Sequence, residues 1–485
     1  MRRSVAPSRP DPSIIIETEE AGLQGAVGAD RATDIVGERW EGYLERIRDL
    51  CRMPSVSATG EGVRDVADAV LQMIREAGGE AELVETPGFP VIIGEITGPP
   101  GASSLLRYGM YDVQPAEEPD WTVPPFSAEI VDLDGVGPSV VCRGVANSKG
   151  TLASFFCALD ALREAGGVPV TIRFVIEGEE ELGSTNLPAV VTERASDLRA
   201  DHGVDLDLYG ERDGSAALVL GCKGLLSLEL VCRAGDWGGP ARPLHSSEAA
   251  WIASPVWGLV HALAALVGPD EELLVREIVD AAAPPAEADR PLLRELAEGF
   301  DPEEHLRDAK ASRYKIEGSP QELLEALIYR PTANIDGLEA GYTGPGHTIM
   351  PSEARAVLDL RLVPDLDPDE AAGAVRRHLD REGFGHVEVR PLERYPWAKA
   401  APDSRASRAM RASYERLGRR PLPYPMAPWC APFYIFDRLL DMPWASGGLG
   451  FAGGAHAPDE FATVEGLREH TLGTVEFLLA YAEGA

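Results

Sequence analysis

Apolar side chains recur at steps of three and four over Trp40, Tyr43, Leu44, Ile47 and Leu50, the spacing of one helix face. A second helix is predicted over Val63–Glu76, closed by Gly78 and Gly79. Short apolar runs then alternate with helical stretches: strands at 91–96 and 104–108, a helix at 151–164 and a buried strand at 168–176. Strands separated by helices predict an α/β layer with a largely parallel sheet. After Lys223 and Gly224 the pattern changes. Strands at 225–232, 353–362 and 386–389 surround helices at 254–266 and 371–382, which reads as an α+β sandwich. A Pro- and Ala-rich stretch at 396–402 leads into a final helix, loop, strand and helix. The expected fold is α/β. A discontinuous first domain (36–224 plus 400–485) carries a mixed, largely parallel sheet between helices, and an α+β domain is inserted at 225–399. Residues 1–35 lack sustained periodicity and are expected to be a mobile arm.

Charge narrows the function. The 485 residues hold 79 acidic against 45 basic side chains, a net charge of −34. That field repels a phosphate backbone, so nucleic acid is not an expected partner, and it lowers the local concentration of anionic substrates. No apolar run reaches the roughly 18–20 residues that span a bilayer. The N-terminus offers only Ile14, Ile15 and Ile16 where a signal peptide needs a longer apolar core. A cytoplasmic protein with no membrane partner is expected. The six cysteines are scattered without metal-knuckle spacing and are expected to be reduced thiols.

The chemistry concentrates at Glu177-Gly178-Glu179-Glu180-Glu181, four carboxylates in five positions at the end of a buried strand. Like charges this close destabilise one another unless a cation or a proton intervenes. Other blocks accompany this run in order. They are Tyr108-Gly109-Met110-Tyr111-Asp112-Val113-Gln114-Pro115; Arg143-Gly144-Val145-Ala146-Asn147-Ser148-Lys149-Gly150; Pro243-Leu244-His245; Arg330-Pro331-Thr332; Gly344-Pro345-Gly346-His347-Thr348; Asp359-Leu360-Arg361; and His456-Ala457-Pro458-Asp459-Glu460. Together they resemble the M20 family of metallopeptidases, in its dipeptidase and carnosinase-like branch, from about residue 40 to the C-terminus.

The resemblance implies two divalent metals, zinc or manganese, about 3.5–4 Å apart around an activated water. It makes Glu180 the base that takes the water's proton and Glu181 and His456 metal ligands. Glu211 falls where the family has an aspartate ligand, with Asp207 and Asp213 as open alternatives. It also assigns the inserted domain to a lid and dimerisation role. There His245 reaches the partner subunit's site and steadies the oxyanion, so a homodimer is expected. Thr348 and Arg361 match positions that bind the substrate carboxylate, and a guanidinium fork suits that task. Asp112 keeps its place two residues after a metal-ligand position.

Two ligand positions depart from the family. Met110 stands where a histidine ligand belongs, and Asn147 where an aspartate bridges the metals. A thioether is a soft, neutral ligand poorly matched to zinc or manganese among carboxylates. An amide offers one carbonyl oxygen and cannot bridge two cations. A two-metal centre is therefore not expected, leaving no metal or a single divalent ion on Glu181, His456 and Glu211. Without a metal, the crowded carboxylates must hold a proton near neutral pH, which places a general acid beside a general base. The segment Pro428-Trp429-Cys430-Ala431-Pro432 replaces a glycine- and serine-containing loop that contacts substrate in the family, so the pocket is expected to be narrower and more apolar. Cys430 is expected against the substrate as a buried thiol, since no basic partner activates it.

Three functions follow. The first is metal-independent acid–base chemistry on a small carboxylate-bearing, amide- or dipeptide-like substrate: amide formation, acyl transfer or cyclisation in a biosynthetic setting. The second is a metal-dependent dipeptidase or N-acyl-amino-acid amidohydrolase, and the third an inactive binding homologue. Retention of Glu180, His245 and Arg361 favours an enzyme; Met110 and Asn147 favour the metal-independent one.

Overall fold

The computed structural model of the chain describes residues 12–484. An eight-stranded sheet runs in the order Glu80–Val84, Val91–Ile96, Thr171–Glu177, Ser104–Met110, His202–Leu206, Trp444–Gly447, Ser215–Val219, Arg420–Tyr424. Its centre is parallel. Ser104–Met110 pairs in parallel with both Thr171–Glu177 and His202–Leu206, and Trp444–Gly447 continues that direction. Antiparallel pairing is confined to the first two strands and to the contact of Trp444–Gly447 with Ser215–Val219. Apolar side chains cover both faces, as a parallel sheet requires.

The helix Lys149–Ala165 is buried along most of its length, and Phe155 and Phe156 pack with Phe174 of the sheet. Beside it lies a helix spanning Pro12–Arg52. The arm expected over 1–35 therefore needs correction where it can be seen. Residues 1–11 lie outside the described residues, but from Pro12 the chain is helical, and Ala32 and Ile35 are fully buried in the main core. Those apolar contacts supply the stabilisation that composition alone did not suggest.

The second sheet takes all its strands from the inserted segment, in the antiparallel order Thr332–Ala340, Glu353–Leu362, Gly224–Arg233, Val387–Tyr395. Burial alternates strictly along Glu353–Leu362. Ala354, Ala356, Leu358, Leu360 and Leu362 lie under the helices Pro255–Leu266 and Pro368–Arg381, while Asp359 and Arg361 take the open face. Between the two sheets the sequence predicted nothing over 268–330, where the structure has four short helices. Asp289–Gly299 and Pro320–Tyr329 bring Leu293, Leu296, Leu324 and Ile328 back onto Leu422 and Met426 at the edge of the main sheet. Lys399 and Tyr329 both bond the Asp289 carboxylate there, at 2.9 and 2.7 Å. The edge strand is thereby covered.

A small third sheet pairs Phe461–Thr463 with Gly137–Val141 and sets two distant loops side by side. Glu460, fully buried, enters the first of these loops. Its Oε1 accepts the N–H groups of Gly144, Ala146 and Asn147 at 2.9–3.0 Å, and its Oε2 accepts Arg143 Nη1 at 2.9 Å. Arg143 is itself 1% exposed and lies over the Trp121 ring. Glu460→Gln leaves the buried guanidinium with only the exposed Glu118 carboxylate at 3.5 Å, and breaking a buried pair of this kind costs about 3–5 kcal/mol. Urea unfolding should show that loss. A change below about 1 kcal/mol would contradict the anchoring role.

Candidate active site

The parallel strands Ser104–Met110, Thr171–Glu177 and His202–Leu206 end side by side, and the loops beyond their carboxyl ends form the site. Met110 is the last residue of its strand, buried and paired in register with Glu177. Tyr111 and Asp112 then turn beneath the acidic run. Gly178 is required there, because a Cβ would lie 2.4 Å from the Tyr111 ring. Asp112 receives the backbone N–H of Glu180 on one oxygen (3.2 Å) and that of Glu181 on the other (3.1 Å). Its retention two residues after Met110 is explained by this grip on the turn that presents both glutamates. Burial, reinforced by the Glu181 charge, pushes Asp112 up to about 7.

Burial dominates the other acids too. Glu180 is held well above the ordinary carboxylate range, first by desolvation and then by Glu181, Asp112 and Glu177. Glu177 Oε1 accepts the hydroxyls of Tyr108 (2.9 Å) and Ser184 (2.8 Å), yet burial still raises it to about 8. The inserted sheet reaches this cluster through Tyr395, whose hydroxyl bonds Ser184 Oγ at 3.0 Å and Glu180 O at 3.3 Å.

Glu181 faces the opposite loops. Gln114 Nε2 donates to its Oε2 at 2.8 Å, and Asn147 Nδ2 lies 2.9 Å from its Oε1. The same Asn147 nitrogen is 2.9 Å from His456 Nε2, which is 3.0 Å from Glu181 Oε1. The carboxylate raises the His456 pKa. Asn147 Oδ1 lies 3.1 Å from Ser148 Oγ, which continues to Asp207 Oδ2 at 3.0 Å. The amide orientation follows from these partners, since the flipped form would set Oδ1 against a carboxylate oxygen.

Of the three acids left open for one ligand position, this chain of bonds ties Asp207 to the cluster. Asp207 is the first residue past the strand His202–Leu206 and points at the Asn147 loop, whereas Glu211 follows Gly210 into an exposed turn whose N–H bonds Ser215 O. Asp213, the third alternative, bonds Ser215 and Arg420.

The substrate-side residues form two groups. Arg361 donates to Asp359 Oδ2 (3.1 and 2.7 Å) and to Cys430 Sγ (3.3 Å). Burial pushes the Cys430 thiol up to about 12, so it stays protonated. Trp429 stacks on Tyr209 at 6.0 Å. Separately, His245 Nδ1 accepts the Ser247 N–H at 3.1 Å, which turns Nε2 toward Thr348 Oγ1 at 3.2 Å. That pair is exposed, and its bonds stay within the inserted segment. Glu460, Gln114 and Tyr395 carry roles that sequence reasoning missed. The first two stood inside the blocks quoted, but only the tertiary contacts reveal what they hold.

A family model described as Peptidase family M20/M25/M40 matches residues 107–480. The chain belongs to this family. It is 25% identical over 372 residues to the Cys-Gly metallodipeptidase dug1 of Schizosaccharomyces pombe, covering 73% of this chain and 75% of that protein. It is 28% identical over 327 residues to the Beta-Ala-His dipeptidase of Rattus norvegicus, covering 64% and 63%. Among solved structures, the M20 family metallo-carboxypeptidase Sso-CP2 of Sulfolobus solfataricus superposes with a TM-score of 0.83 at 32% identity, covering 91% of this chain and 99% of that one. Human carnosine dipeptidase 1 shares the fold at a TM-score of 0.79 and 21% identity, covering 94% and 100%. The chain is thus a hydrolase-like enzyme of catalytic-plus-lid architecture, and its family uses divalent metal.

The residues present do not fit a dinuclear centre. Met110 supplies a neutral thioether, and the Asn147 NH₂ group, a donor, points between Glu181 and His456. Among the described residues, no three His, Cys, Asp or Glu side chains are arranged to hold a metal ion.

Glu177 gives a pH test. Its folded pKa of about 8 exceeds the ordinary 4.5, so between those values the folded chain keeps a proton that the unfolded chain has released. Its contribution to stability therefore declines as pH rises through that window, by about 1.4 kcal/mol per pH unit. Glu177→Gln removes this proton, and urea unfolding between pH 5.5 and 7 should show a slope shallower by roughly that amount. An unchanged slope would contradict the assignment.

Proposed function

We propose that the chain acts on a small amide- or peptide-like substrate bearing a free carboxylate, and that Glu180, not a dinuclear metal centre, handles the proton at the amide. The observation carrying this reading is the Asn147 amide nitrogen, 2.9 Å from both Glu181 and His456. It places hydrogen-bond donors where the family needs a bridging acceptor. Glu181 is tied to Gln114 and Asn147 and lies beside a Glu180 that burial and the neighbouring carboxylates hold protonated. Such a pair can protonate a departing nitrogen or deprotonate an attacking group. Arg361 receives the substrate carboxylate, with Cys430 and Trp429 as the wall beside it. The relatives named for Cys-Gly and Beta-Ala-His dipeptides support a short substrate of this kind.

His245 and Thr348 complete the site from a second copy of the chain. Their mutual bond and their exposure fit groups waiting for a partner's substrate. Light scattering should give twice the chain mass of 52.0 kDa, and a monomer would contradict this role. Six free cysteines fit a reducing cytoplasm, and among the described residues no helix is long and apolar enough to cross a membrane.

The decisive comparison is between the wild type and the double variant Met110→His with Asn147→Asp, both purified without chelator. The wild type should hold less than about one equivalent of zinc plus manganese and leave Cys-Gly and β-Ala-His intact. The variant, with both ligand types restored, should gain up to about two equivalents. Two equivalents and ordinary dipeptide turnover in the wild type would establish instead a metal-dependent dipeptidase, the reading the relatives' names favour.

A further inference from the structure

Lys223 is a buried cation that the chemistry above leaves unused. It is 2% exposed, and its backbone N–H is fixed by Ala427 O (3.2 Å) and Trp429 O (3.0 Å). Its ammonium donates to a single acceptor, Arg330 O at 2.7 Å, and no carboxylate of the described residues lies within ion-pair distance. An ammonium has three N–H donors, so two remain unspent. The buried guanidiniums of Arg107 and Arg143 are matched to Asp205 and Glu460, and the partly exposed Lys399 is matched to Asp289. Lys149, the remaining buried lysine, has two carbonyl oxygens and the Phe126 ring. A buried charge left this bare is costly unless something supplies a counter-charge.

The surroundings indicate what does. Lys223 lines a cleft of about 1400 Å³ together with Arg361, Tyr209, Trp429 and Tyr329. It immediately precedes the strand Gly224–Arg233, whose Leu225 is the cross-strand partner of Arg361, and both side chains line this one cleft. Asp359, the acid whose charge reaches it, bonds Arg361 through Oδ2, and its buried Oδ1 bonds neither Arg361 nor Lys223. Burial lowers the Lys223 pKa to about 8, which keeps it charged at neutral pH.

We propose that Lys223 is a second anion-binding group, and that the substrate is an amide carrying two carboxylates, one on Arg361 and one on Lys223. This rests on reading Arg361 as a carboxylate-binding residue. Two singly charged groups suit the cleft better than one phosphate, whose second charge would confront Asp359 and the neighbouring Asp336 and Glu393.

The test is equilibrium binding at pH 7 by titration calorimetry, with butyrate as the monocarboxylate and succinate, glutarate and adipate as dicarboxylates. At least one dicarboxylate should bind tighter than butyrate by about tenfold or more, the scale of a charge-assisted bond. Lys223→Met should abolish that gain while butyrate still binds, and Lys223→Arg should keep it. Equal affinity of the wild type for all four acids, retention of the gain in Lys223→Met, or tighter binding of inorganic phosphate would overturn the proposal. Failure of the underlying reading registers separately, as butyrate affinity indifferent to Arg361→Met, and none of these readouts depends on metal content or turnover.

Discussion

The carboxylate of Glu460 accepts three backbone N–H groups and one guanidinium in a region without water access, and the active-site loops take their places around it. A single acid thereby fixes the conformation of 143–147 and joins it to the turn that carries His456. That turn is itself strained: His456 has φ 64°, a region most non-glycine residues avoid. Gly144, at φ 89°, completes the fit, since a Cβ there would meet Val113 and the Lys149 stem. With both loops pinned, Asn147 reaches Glu181 and His456 together. Because the clamp on Asn147 acts through its backbone, the choice of side chain there alters the chemistry while leaving the loop in place.

Charge balance is the second constraint. Asp112, Glu177, Glu180, Glu181, Asp205 and Asp207 gather at the ends of three strands, and Arg107 is the cation that penetrates among them, pairing with Asp205 at 3.0 Å. A family member with two metal ions compensates such a cluster with metal charge. In the proposed reading the compensation comes from protons and amide donors: burial raises the affinity of Asp112, Glu177 and Asp207 for protons into the range of about 7 to 8, and the Asn147 and Gln114 amides cap Glu181. Asn147, which donates to Glu181 where an aspartate would add a charge, thus makes the cluster easier to bury.

Much of this was legible in the sequence. The strands ending at Met110 and Glu177, and the inserted sheet apart from its edge strand Thr332–Ala340, follow from short apolar runs and from the strict alternation at 353–362. The acidic run marked the site because four carboxylates in five positions need an explanation. Other features were hidden for physical reasons. The helices over 268–330 are short, and what orders them is the edge strand Arg420–Tyr424, more than 90 residues further along. The choice between Asp207 and Glu211 depended on where the strand His202–Leu206 stops, a boundary that periodicity does not fix to one residue. Glu460 read as one acid among 79. Its importance lies wholly in four partners more than 300 positions away in the chain. The helical course from Pro12 was missed because the contacts that hold its later turns, at Ala32, Ile35 and Val36, are made with the distant main core.

Asn147 and Met110 decide whether a dinuclear centre can form. Crystals of the wild-type protein soaked in zinc and in manganese, with diffraction recorded at each metal's absorption edge, test this directly. The Asn147 nitrogen should remain between Glu181 and His456 with no anomalous peak beside them. Two peaks about 3.5–4 Å apart at that position, the spacing of a two-metal site, would contradict it.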